Sequence, residues 1–139
     1  METETAAHKK IFLVEDDHYL SRVYERAFKF AGYDVESVFD GAEASKRLAA
    51  LDPMPAAVVL DILLPSLNGY DLLREIRRNT RFDQVPVIML TNSFINKDGD
   101  AYIAAGADAF LIKIENQSKD VVKKITDLIN NGRAKPDGS

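Results

Sequence analysis

The sequence has no cysteine, no tryptophan and only two histidines. Without thiols there is no disulfide framework, no thiolate metal site and no cysteine nucleophile, and two histidines supply a zinc cage poorly. The longest apolar stretches, such as Met54 to Leu60, fall far short of the ~18 residues a membrane span needs, and Met1 to Lys10 lacks the apolar core of a signal peptide. A reducing cytoplasm is the expected location, with no membrane partner. A basic excess is lacking too. Lys and Arg total 18 against 22 Asp and Glu, a formal charge of −4, so no overall field exists to hold a phosphate backbone and direct nucleic-acid binding is not expected.

What is present is one domain's worth of chain, 139 residues of which 46% are hydrophobic. Strand-like and helix-like runs alternate five times, the pattern of an α/β fold with a parallel sheet wrapped by helices. Ile11 to Val14, Ala57 to Leu60, Val87 to Leu90 and Ala109 to Ile112 are short continuous apolar runs, as expected of strands buried on both faces. Asp34 to Phe39 alternates polar and apolar residues and reads as an edge strand. Five amphipathic stretches are expected to be helices: Tyr19 to Ala31, Ala42 to Leu51, Tyr70 to Asn79, Asp98 to Ala105 and Ser118 to Asn131. The first carries Leu20, Val23, Ala27 and Ala31 at helical spacing. Leu72, Leu73 and Ile76 mark the third, and Val121, Ile125 and Leu128 the last. Gly32, Gly106 and Gly132 sit where a helix ends in a left-handed residue. Residues 1–9 and 132–139 have no periodic partner and read as flexible tails around a domain of residues 10–131.

Four of the buried-type strands end in residues capable of chemistry. Ile11 to Val14 runs into Glu15, Asp16 and Asp17, Ala57 to Leu60 into Asp61, Val87 to Leu90 into Thr91, and Ala109 to Ile112 into Lys113. In an open parallel sheet all carboxyl ends lie on one edge, and ligands bind where the strand order reverses. The edge character of the second run points to the order 2-1-3-4-5, which places Glu15 and Asp16 opposite Asp61. Carboxylates so crowded raise one another's pKa, and a divalent cation relieves the repulsion. Hard oxygen ligands without His or Cys favour Mg²⁺ or Mn²⁺. With the ammonium of Lys113 and the hydroxyl of Thr91, such an ion would cover the peripheral oxygens of a phosphoryl group. Asp61, central and followed by the turn Leu64-Pro65-Ser66-Leu67-Asn68-Gly69, is the carboxylate left to act as nucleophile.

Over roughly Lys10 to Asn131 the sequence resembles the receiver domain of two-component response regulators. The resemblance rests on Glu15-Asp16, on Asp61 with Leu64-Pro65 and Gly69 after it, on Thr91, and on Lys113 following Gly106-Ala107-Asp108-Ala109-Phe110-Leu111-Ile112. It implies a flavodoxin-like doubly wound sheet of five strands and five helices, of the stand-alone chemotaxis-regulator type. It further implies that Asp61 accepts a phosphoryl group from a sensor histidine kinase or a histidine phosphotransfer protein. Asp16 and Asp61 would bind Mg²⁺ directly, Glu15 through water, and Leu63 through its backbone carbonyl. Thr91 and Lys113 would hold the phosphate, helped by backbone N–H groups near Leu63 and Asn92. Phe110 stands where the family keeps its switch aromatic. Movement of Thr91 toward the phosphate would let Phe110 turn inward and alter the face made by the fourth helix, fifth strand and fifth helix, where a downstream target or a second copy would dock.

Two departures stand out. Ile114 replaces the proline that usually follows the lysine in a cis peptide, and Asn92 replaces a small residue. The resemblance puts Leu63 and Ser93 at the positions that flank the path of attacking water in this family, and an apolar Leu63 there implies slow self-dephosphorylation. These departures motivate an alternative, a phosphorylation-independent receiver-like adaptor. A small hydrolase of the aspartyl-phosphate type usually carries a second Asp where this chain has Leu63, so enzymatic turnover is not expected. Taken singly, the acidic triplet would be a solvated turn at a helix start, Thr91 a turn residue, Lys113 a surface lysine and Phe110 core packing. Their convergence favours the site. Asp17 reads as a helix cap, His8 and His18 as exposed, and Val122 with Ile129 as either a wide core face or a docking stripe.

Overall fold

The computed structural model describes residues 9–92 and 99–133. The elements run β1 (Lys10–Val14), α1 (His18–Phe30), β2 (Asp34–Val38), α2 (Gly41–Ala50), β3 (Ala57–Asp61), α3 (Gly69–Arg78), β4 (Val87–Thr91), α4 (Gly99–Ala104), β5 (Ala109–Ile112) and α5 (Ser118–Asn131). Short 3₁₀ turns lie at Thr80–Phe82 and Lys113–Glu115. All strand pairs are parallel and the order is β2-β1-β3-β4-β5, the doubly wound order that the sequence led us to expect.

The apolar runs explain why these strands are central. Every residue of β3 and β4 is buried, whereas β2 is mostly half-buried at the sheet edge. Alternation along the strands divides the core in two. Phe12, Val58, Leu60 and Met89 face α2, α3 and α4 through Leu48, Leu72, Leu73 and Ile76. Leu13, Val59, Ile88 and Leu90 face α1 and α5 through Tyr24, Phe28, Val121 and Ile125. Each large side chain buried in this way contributes roughly 1.5–3 kcal/mol.

Helix starts follow local chemistry. Asp17, Asp40 and Asn68 accept hydrogen bonds from the backbone N–H of Leu20 (3.1 Å), Glu43 (2.8 Å) and Asp71 (2.9 Å). The core stripe of α1 is a correction. The fully buried positions are Ser21, Tyr24 and Phe28, one step round the helix from Leu20, Val23 and Ala27, because the two rings bury more area than the smaller aliphatics. Phe39 lies outside β2, exposed and stacked on His18 at a centroid distance of 4.0 Å. On α5, Val122 and Ile129 are half-buried against the core. The expected fourth helix is described only over Gly99–Ala104. Asp98, Ser93, His8 and residues 134–139 lie outside the described residues.

At the edge of the sheet away from the strand ends, Asp108 collects a buried clasp. Its carboxylate, 1% exposed, accepts from Val87 N (2.8 Å), Arg77 Nη2 (3.1 Å) and Arg133 Nε (2.9 Å). Arg77 also donates to the carbonyls of Gly106, Phe82 and Val85. Burial, and then repulsion from Arg133, lowers the Arg77 pKa to about 10. Gly106, at φ +116°, leaves room for this arrangement, since an added Cβ would lie 2.5 Å from Arg77 Cγ. Arg133 is therefore fastened to the domain, although the sequence places it in a tail.

Arg77→Ala would remove one donor each from a buried carboxylate and three carbonyls. The expected loss is about 3 kcal/mol in denaturant unfolding. Arg47→Ala, which breaks exposed pairs to Glu43 and Glu36, is expected to cost under about 1 kcal/mol.

Candidate functional site

The register brings the chemistry-bearing residues together. Val14 pairs with Val38 on one side and with Leu60 on the other, so Glu15 and Asp61 leave neighbouring strands at the same level. Asp61 pairs with Leu90 and Thr91 with Ile112, which sets Asp61, Thr91 and Lys113 along the same edge. Glu15, Asp61, Thr91 and Lys113 are all buried. Asp16 is exposed and forms the open side of the cluster.

Lys113 Nζ lies 2.7 Å from Glu15 Oε1 and 3.2 Å from Asp61 Oδ2. The first contact is a short ion pair with both partners buried, so one ammonium is shared between two carboxylates. Glu15 Oε2 accepts from Asp17 N at 3.1 Å, and Asp61 Oδ1 takes a long hydrogen bond from Leu63 N at 3.4 Å. Burial, and then the charge of Glu15, pushes the Asp61 carboxyl up to about 7. Burial works against the charge on Lys113, but the contacts with Glu15 and Asp61 outweigh it and hold the ammonium above its ordinary value. Tyr24 of α1 is raised by burial and feels the charges of Lys113, Glu15 and Asp61, so its phenol belongs to the surroundings of the site.

The donor set fits a hard divalent cation. Oxygens of Glu15, Asp16 and Asp61 lie within 4.8 Å of one another. They carry no nitrogen or sulfur competitor. Three carboxylates against one ammonium leave two negative charges, the deficit that one Mg²⁺ or Mn²⁺ would cancel.

Two glycines hold the loop after Asp61. At Gly69 an added Cβ would meet the Asp61 carbonyl oxygen, and at Gly41 the Leu67 carbonyl. Gly69 N donates to Ile62 O, and Gly41 N to Pro65 O. Ser66 turns the chain at φ 65°. Leu63 projects into solvent, 67% exposed, and Asn92 is exposed at the end of β4. After Lys113 the chain enters a 3₁₀ turn, with Asn116 Nδ2 donating to Ile112 O at 3.0 Å, so the lysine reaches the carboxylates without the usual proline. Phe110 is half-buried and packs on Tyr102 at 5.4 Å. Sequence reasoning missed the part played by Gly41, whose only signal was its place behind the capping Asp40. Tyr24 was hidden because nothing local ties a mid-helix tyrosine to a strand end.

Comparison with known proteins agrees with this geometry. The family model described as the response regulator receiver domain matches residues 11–126. Response regulator MprA of Mycobacterium ulcerans (strain Agy99) is 35% identical over 104 residues, covering 75% of this chain and 43% of that protein. The probable transcriptional regulator ycf27 of Porphyridium aerugineum is 30% identical over 129 residues, 88% of this chain and 52% of that one. The chain thus spans about half the length of these curated relatives. Among solved structures, a putative response regulator from Chloroflexus aurantiacus J-10-fl superposes with a TM-score of 0.79 at 26% identity, over 88% of this chain and 98% of that one. The Mn²⁺-bound form of response regulator Rcp1 gives 0.73 at 29%, over 86% and 91%.

The raised Asp61 carboxyl has a stability consequence. A folded-state value near 7 against an unfolded value near 3.8 favours the protonated form on folding. That stability is fully present below pH ~4 and is lost as the pH rises through about 7. Asp61→Asn places a neutral isostere there at every pH. Without divalent cations the variant is expected to melt several degrees above wild type at pH 8, with the gap closing toward pH 4. A variant that melts below wild type at pH 8 would contradict the crowding described above.

Proposed function

The chain belongs to the response regulator receiver family, and from that premise we propose that Asp61 is its phosphoacceptor. The observation that carries this reading is the convergence of Asp61, Glu15, Asp16 and Lys113 at the reversal point of the sheet. Three carboxylates facing one lysine is an arrangement that stability alone does not ask for.

In the proposed step a carboxylate oxygen of Asp61 attacks the phosphorus of a phosphohistidine on a sensor histidine kinase or phosphotransfer protein. The acyl phosphate P–O bond forms as the P–N bond breaks, and the departing imidazole keeps the electron pair and takes up a proton. Mg²⁺, or Mn²⁺, bound at Glu15, Asp16, Asp61 and the Leu63 carbonyl would neutralise charge on the phosphoryl oxygens. Asp61 must be ionised to attack, and the ammonium of Lys113 beside it favours that form. Lys113 then exchanges part of its pairing with Asp61 for a phosphate oxygen. The Thr91 hydroxyl and the backbone N–H groups of Leu63 and Asn92 donate to the others. The movement of Thr91 frees space for Phe110, and the face formed by α4, β5 and α5 changes for a downstream protein or a second copy.

On this reading the chain is a cytoplasmic signalling domain that catalyses only its own phosphorylation and slow dephosphorylation. In its single-domain form a separate protein reads the state. No described helix is long and apolar enough to cross a membrane.

Incubation with acetyl phosphate and Mg²⁺ followed by intact mass measurement is expected to show a gain of one phosphoryl group, absent in Asp61→Asn. With Leu63 at the water path, the modified form is expected to persist for minutes or longer after the phosphodonor is removed. No gain, or the same gain in Asp61→Asn, would leave the adaptor reading in its place.

A further inference from the structure

The rings on the α3 and α4 side of the sheet form a continuous ladder that ends on a basic surface. Tyr102 of α4 packs on Phe110 of β5 at 5.4 Å, tilted by 31°, and meets Tyr70 of α3 edge-on at 5.3 Å and 86°. Arg74 lies over the outer side of Tyr70, 5.9 Å from its centroid. Both ends of the ladder are joined through the chain to segments that carry site residues, Phe110 on the strand that leads into Lys113 and Tyr70 at the start of the helix after the Asp61 loop. Tyr70 follows Gly69, which is pressed against the Asp61 carbonyl, and Phe110 lies 3.1 Å from where a Cβ on Gly99 would sit. Phe110 therefore packs against α4 at two points, Tyr102 and Gly99, and a change of its rotamer needs Tyr102 to give way.

Tyr70, Arg74, Arg77, Arg78 and Ala105 line a shallow cleft of about 410 Å³. Arg77 is committed to the Asp108 clasp. Arg74 and Arg78 are exposed and form no ion pair among the described residues. Glu75, on the same helix, is turned away and accepts from Ser45 of α2 at 2.6 Å. In a chain of net charge −4, this is a cleft with three arginines, an aromatic wall and no acidic lining residue. Guanidinium groups beside a ring suit carboxylates carried on a peptide.

We propose that this α3–α4 cleft is a docking surface for an acidic segment of a partner protein, and that the ring ladder links its fit to the state of Asp61. The linkage rests on the phosphoacceptor reading, whereas the surface itself does not.

The test uses the full chain and a fluorescein-labelled oligoglutamate peptide read by anisotropy, with and without Mg²⁺ and beryllofluoride as a phosphoryl mimic. Wild type is expected to bind the peptide, and the double variant Arg74→Ala with Arg78→Ala to bind it roughly fivefold or more weakly. Beryllofluoride is expected to change the wild-type affinity by roughly fivefold. Tyr102→Ala, or Tyr70→Leu if the first variant folds poorly, is expected to lose that change while fluorine NMR still shows bound beryllofluoride. Equal affinity in wild type and the double arginine variant overturns the surface. Tighter binding of an oligothymidylate of the same charge overturns the assignment to a protein segment. An affinity that ignores beryllofluoride seen bound by fluorine NMR overturns the linkage. A chain that takes up no beryllofluoride instead overturns the phosphoacceptor reading, and the linkage with it, while the arginine variants still decide the surface.

Discussion

The structure turns on one crowded interaction, the burial of Asp61 beside Glu15 with Lys113 as their shared counter-charge. A carboxylate in that position is costly, which is why its pKa rises to about 7. Yet the backbone offers it little freedom, because β3 ends there between two paired strands and Gly69 is pressed against its carbonyl. The fold thus holds a carboxylate in a place that only added positive charge makes comfortable. Lys113 supplies part of that charge, and in the proposed function a divalent cation would supply the rest while a phosphoryl group would add a new demand for it.

The rest of the molecule keeps this site fixed on one side and free to respond on the other. Far from the strand ends, the Asp108 clasp binds the end of α3, the turn before β4, Gly106 and Arg133 into one unit. Near the site, contacts are softer: a half-buried Phe110, two tyrosine rings and a long hydrogen bond from Leu63. Rigid packing at one end and adjustable rings at the other suit the shift between two states proposed for this domain.

Much of this was legible in the sequence, because buried parallel strands announce themselves as apolar runs and their ends fall on one edge by topology alone. Asp61, Thr91 and Lys113 follow such runs directly. The strand order, suggested by the edge character of Asp34 to Phe39 and in part by the family resemblance, matches the sheet. What stayed hidden depends on contacts between distant segments. The α1 stripe is shifted by one position because the rings of Tyr24 and Phe28 decide which face is buried. Arg133 looked like tail because its partner Asp108 lies 25 residues earlier. Tyr102 looked like one more residue of a short helix until its neighbours were known.

The central claim is that Asp61 carries a phosphoryl group next to a bound divalent cation. Phosphorus NMR of the protein treated with acetyl phosphate tests both halves at once. The account predicts one protein-bound acyl phosphate signal that requires Mg²⁺ and broadens strongly when Mn²⁺ replaces it. A signal that Mn²⁺ leaves sharp, or no protein-bound signal at all, would contradict it.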